Sequence, residues 1–156
     1  FTVNMGVAPL LFLQVIYGHF MYTSSILMAV YWLSLILLVI IAYYCLYIYD
    51  FKFDDLGSAR KIFIALGTVL LLWIGFIFTN NMTLMLDPAK WTQWFQTPDG
   101  SLLNLGDPTL FPRWLHFVAG SLAVGGLFMA VVCEEIQERL AELVARHGFH
   151  GAYGNG

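Results

Sequence analysis

The sequence predicts an all-α integral membrane protein with four transmembrane helices, and three observations carry that expectation. Of its 156 residues, 60% are hydrophobic and only 11% charged, whereas a soluble globular domain carries about 25% charge. The apolar residues fall into stretches long enough to cross a hydrocarbon core of about 30 Å. Nearly all charges stand in the segments between or beyond those stretches. The net charge of −3 is dispersed, so the pattern offers no basic surface for nucleic acid. Cys45 and Cys133 are isolated and lack metal-ligand spacing, which predicts neither a disulfide framework nor a zinc or iron–sulfur centre.

From Val3 to Tyr49 the only titratable group that could be charged at neutral pH is His19. At 1.5 Å per residue that run is about 70 Å of helix, twice what one crossing needs, so it reads as two helices. Tyr22-Thr23-Ser24-Ser25 is the plausible break, since its hydroxyls can satisfy helix ends exposed at a tight reversal. Helix 1 is therefore expected at about 3–22, bent at Pro9, and helix 2 at about 26–49. Residues 1–22 have neither the basic start nor the small-residue cleavage pattern of a signal peptide. A charged loop, 50–61, leads to helix 3 at about 62–82.

Residues 83–111 hold three of the five prolines, with Pro112 directly after them, and form the long outer loop. Within it Lys90-Trp91-Thr92-Gln93-Trp94-Phe95 reads as a short interfacial helix, because tryptophan favours headgroup depth. Asp87-Pro88 is a suitable start for that helix, and Pro98-Asp99-Gly100 a turn. Helix 4 is expected at about 112–133, and its periodicity continues past Cys133. Glu135 with Arg139 and Glu142 with Arg146 are favourable i,i+4 pairs, while Ile136, Leu140, Leu143 and Val144 keep an apolar face for a partner. Gly148 is a natural C-cap and the remainder a flexible tail, in which His147 and His150 read as solvated. The domain organisation is thus a transmembrane domain, 1–133, followed by a helical extension and tail, 134–156.

Lys52, Arg60, Lys61, Arg139 and Arg146 lie on one side of these spans, against Lys90 and Arg113 on the other. The excess of basic residues marks the cytoplasmic side. Both termini are expected in the cytoplasm of a bacterium, with the chain in its inner membrane and the long loop facing the periplasm.

Histidines within membrane spans are functional candidates by default. His19 stands three residues before the outer end of helix 1, and His116 four residues after the start of helix 4, so each lies about 5–6 Å below the outer helix ends. Imidazole is the usual axial donor to membrane haem, and the two could share one iron or serve two. Gly120, one turn below His116, opens a run of small residues that leaves room for a flat macrocycle. Arg113, one turn above, could pair with a propionate. The same residues have a plainer reading: small residues four apart, such as Ala119 with Ala123 and Ser121 with Gly125, also pack membrane helices, and a histidine near an interface can reach water or a carbonyl. Gln14 and Asn4 read as bonding across helices, and the methionines, Met82 and Met85 included, as packing.

Asn80-Asn81-Met82, Thr97-Pro98-Asp99-Gly100 and the run Asp107-Pro108-Thr109-Leu110-Phe111-Pro112-Arg113-Trp114-Leu115-His116 together resemble part of subunit I of the cytochrome bd-type quinol oxidases. The resemblance covers about residues 75–130 and, more loosely, helix 1. It implies a membrane cytochrome b-like subunit, with His116 as a haem-b ligand and His19 as a candidate ligand at a second site. That family's quinol-binding loop, the later methionine partner of its haem-b histidine and its buried glutamates have no counterpart here, so the implication is haem binding and not oxygen reduction.

The functional expectation is a haem-b-binding electron-transfer subunit of a larger respiratory complex. It would link quinone, a possible second ligand, with a c-type cytochrome or another periplasmic redox protein, other subunits and membrane lipid being its further partners. The alternative is a cofactor-free accessory or scaffold subunit. A small transporter is a third class, disfavoured because no acidic residue lies inside a span.

Overall fold

The computed structural model describes residues 2–52, 57–96 and 98–153, and the side chains of 7–52, 57, 59–96 and 98–144 among them. These residues form helices and loops, with no strand among them. Four α-helices, α1 (Thr2–Leu27), α2 (Ala29–Phe51), α3 (Arg60–Met85) and α4 (Leu110–Tyr153), are joined by two 3-10 helices, Gly57–Ala59 and Pro88–Phe95. Each α-helix is long and apolar enough to cross a membrane, which suggests a multi-pass membrane protein. The chain divides into two units, Phe1–Trp114 and Leu115–Gly156.

In the first unit α2 and α3 pack antiparallel along their lengths. Gly67 sits against Leu46 and the Ala42 carbonyl, and at the other end Leu27, Met28, Leu35, Ile77 and Leu84 form the buried core. Tyr31, Trp32, Trp91, Trp94, Leu102 and Leu103 close over that core. It therefore gathers where α3 ends and the long loop folds back.

The first helix does not stop at Tyr22–Ser25. Thr23 donates to the His19 carbonyl (2.8 Å), and Ser24 and Ser25 both donate to Met21 (3.0 and 2.7 Å). Hydroxyls bonded back to the preceding turn extend a helix instead of capping a reversal. The break comes at Met28 (φ −108°, ψ 24°), and the partners for the freed backbone come from the loop. Val30 N–H donates to the Gly100 carbonyl, and Leu102 N–H to Leu27, both at 3.1 Å. The non-helical residue inside α1 is Tyr17 (φ −120°) and not Pro9. It adjoins Gly18, whose missing side chain leaves room for a bend.

The segment after Asp87 is a 3-10 helix, Pro88–Phe95, with Lys90 N–H bonded to the Asp87 carbonyl at 3.2 Å. In the second unit α4 runs on through Gly148 to Tyr153, so Gly148 does not end it. Arg139 meets Glu135 at 2.9 Å; the expected Glu142–Arg146 pair and the side chains of His147 and His150 lie outside the described residues.

Candidate functional site

Asn80, Asn81 and Thr83 are buried in the last turns of α3; Asn80 and Thr83 hold the long loop, while Asn81 Oδ1 has no partner among the described residues. Asn80 Oδ1 accepts from the Asn104 backbone N–H at 3.0 Å. Asn104, itself buried, donates its side-chain amide to Thr83 Oγ1 (3.4 Å) and Asp107 Oδ2 (3.3 Å), and accepts from Lys90 Nζ. Lys90 also pairs with Asp87 at 3.3 Å, while Trp91 Nε1 donates to the Leu84 carbonyl at 2.9 Å. An amide that both donates and accepts in several directions is the economical way to tie three segments together in a low-dielectric interior. The sequence offered no periodic signal for Asn104 or Lys90, since their partners lie on other segments.

Asp107 starts α4. One carboxylate oxygen accepts from the Thr109 N–H and hydroxyl, both at 2.7 Å. The Thr109 hydroxyl first, and then its backbone N–H and the charges of Lys90 and Arg113, hold the Asp107 carboxyl below its ordinary range. Asp99 is held low in the same way by Ser101. Phe111 and Trp114 then anchor the first turn of α4 on Phe76, with ring centroids at 5.9 and 6.0 Å, and Trp114 Nε1 reaches the Leu72 carbonyl at 3.3 Å.

The two candidate ligands have open surroundings. His19, in the first unit, is exposed, with its ring 4.1 Å from that of Phe20, which in turn lies 5.5 Å from Trp91. His116, in the second unit, is exposed and its nearest aromatic ring is Phe117 at 6.3 Å. Neither imidazole makes a hydrogen bond with the described residues. A Cβ added at Gly120 would meet nothing within 4 Å, and Gly120 shares a helix face with His116. Arg113 is exposed; its backbone N–H serves Thr109 and its guanidinium carries no hydrogen bond to a described residue. No family model, curated protein or solved structure matches the chain. Haem fits these donors in two respects: each ring keeps a nitrogen unspent on hydrogen bonding, and the Gly120 face beside His116 is clear.

Two further features emerge only in three dimensions. Gln14, expected to bond across helices, makes no side-chain hydrogen bond with a described residue. It lines an open groove of about 650 Å³ between α1 and α2. The second feature is an aromatic cleft of about 260 Å³ between the end of α1 and the 3-10 helix Pro88–Phe95.

Proposed function

We propose that the chain is a haem-b-binding electron-transfer subunit of a larger membrane complex, with His19 and His116 as axial ligands of one haem or of two, Arg113 as a propionate partner and Gly120 as clearance for a macrocycle at His116. The observation that supports this is the state of the two rings. Each sits on a membrane-length apolar helix and makes no hydrogen bond with a described residue. With α1 ending at Leu27 and α4 starting at Leu110, both rings lie further inside their helices than the sequence suggested; an unpaired polar group inside a span is costly, and iron coordination is one way to remove the cost. The haem would supply one-electron chemistry; the protein's part is ligation, orientation and charge balance. In this reading the chain lies in a bacterial inner membrane with both termini cytoplasmic, passing electrons between quinone and a periplasmic redox partner such as a c-type cytochrome.

The test is a reduced-minus-oxidised absorbance spectrum of the full chain purified from haem-replete cells. A b-type band is expected, lost or shifted in His116→Ala and in His19→Ala, while circular dichroism keeps its helical signal. A helical, colourless protein overturns the proposal.

A second reading, a cofactor-free accessory subunit, is favoured by one observation. Ile136, Leu140, Leu143 and Val144 are all exposed on the charged part of α4, where lipid does not account for an apolar face.

A further inference from the structure

We infer that the aromatic cleft and the groove beside it form one binding site for an isoprenoid quinone, the ring seated in the cleft and the tail in the groove. The two cavities share Tyr22 and Ile26, so they adjoin along one side of α1. The cleft is walled by Tyr22, Trp91, Trp94 and Phe95 with Thr23 and Ile26, which are flat surfaces suited to a flat ring. Its polar groups divide cleanly. Trp91 Nε1 is spent on the Leu84 carbonyl and Thr23 Oγ1 on His19, whereas the Tyr22 hydroxyl and Trp94 indole N–H donate to no described residue. Two free donors over an aromatic floor select a head that accepts hydrogen bonds, as the carbonyl oxygens of a quinone do.

Charge argues against the commonest competitor. Among the described residues no Lys, Arg or His lines either cavity, and the nearby Lys90 is held by Asp87 and Asn104, so an anionic phospholipid head would find no counter-ion there. The groove continues from Tyr22 past Met21 and Gly18 to Gln14, about 12 Å along α1. Its lining is mostly apolar, which suits a hydrocarbon tail. The site stands next to a candidate ligand, since Phe20 touches both Trp91 and His19. The choice of a quinone as occupant rests on the redox reading above; the binding measurement does not need the haem.

The test titrates the full chain in lipid nanodiscs with decylubiquinone and a short-chain menaquinone, read as quenching of tryptophan fluorescence. Saturable quenching is expected. Tyr22→Phe and Trp94→Phe, which keep an aromatic ring and remove a donor, should each raise the apparent Kd about three- to tenfold, the worth of one hydrogen bond. Val15→Ala, on an exposed face outside both cavities, should leave it unchanged. Quenching that rises without saturation, or equally in all variants, overturns the assignment, as does equal competition by a brominated phosphatidylglycerol. Saturable binding by a colourless protein keeps this site and removes the haem; a haem-bearing protein without saturable binding does the reverse.

Discussion

Gly100 combines a left-handed backbone, φ +71°, with a close approach: a Cβ there would lie 3.1 Å from Ala29 Cβ and 3.5 Å from both Ala29 N and the Ile26 carbonyl. Its own carbonyl is the acceptor that satisfies Val30 at the α1–α2 break. An alanine must therefore bear the left-handed cost of about 1–2 kcal/mol and push the loop away from the junction as well. Gly100→Ala is expected to lower the Tm of the purified protein and to speed proteolysis between residues 96 and 106. Unchanged values for both would mean that the loop is not held by this contact. Part of the candidate site was legible at this scale, and part was not. His19 and His116 stood out because titratable rings are conspicuous in apolar spans. Asn80, Thr109 and Asp107 also stood out, as parts of a motif, but their interactions are structural: Asn80 holds Asn104 and Asp107 holds Thr109. A string of residue types cannot distinguish an asparagine that serves a ligand from one that serves a loop, because the difference is the identity of its partner.

Helix existence was readable and helix ends were not, for reasons that differ from end to end. Length and apolarity are local sums, so four stretches are visible without a fold. The hydroxyls at 23–25 could serve either a reversal or the helix itself, and the choice fell to the loop, whose backbone supplies partners at Leu27 and Val30. That information lies about seventy residues downstream. The start of α4 was more local, since Asp107 and Thr109 are neighbours, and it yields a pH prediction. The Asp107 carboxyl is lowered from an ordinary value of 3.8 by hydrogen bonds made in the folded protein. A lowered folded pKa means its stabilisation is fully present above about pH 4 and lost as pH falls through the folded value. Below pH 4 the segment 104–110 is expected to loosen, followed by protease sensitivity or by the fluorescence of Trp91 and Trp94. Asp99 contributes with the same sign through Ser101, so Asp107→Asn should flatten the acid transition only in part while weakening the protein at neutral pH. An acid transition unchanged in Asp107→Asn would remove Asp107 as its cause.

On the scale of the whole molecule, the distribution of exposed apolar surface bears on whether the chain is self-sufficient or a subunit. Within the apolar stretch of α4, exposed Leu122, Val124, Leu127 and Phe128 are what a lipid-facing helix presents. The same explanation fails further on, where Glu134, Glu135, Glu138, Arg139 and Glu142 share the helix with exposed Ile136, Leu140, Leu143 and Val144. Charges at that density belong in water, and an apolar stripe in water is stable only when another surface covers it. The exposed Glu135–Arg139 pair cannot compensate, since a surface ion pair of this kind is worth at most about 0.5 kcal/mol. In the electron-transfer and the accessory readings alike, the stripe is where a neighbouring subunit would dock. Deleting residues 134–150 should leave the chain in the membrane fraction, because the four apolar stretches remain, yet shift it on native gels from the mass of a complex to that of a free subunit. Leu140→Glu should do the same with one residue changed and the helix intact. If the deleted chain still migrates with the complex, the apolar stripe has no role in assembly and the docking surface must be sought on the spans themselves.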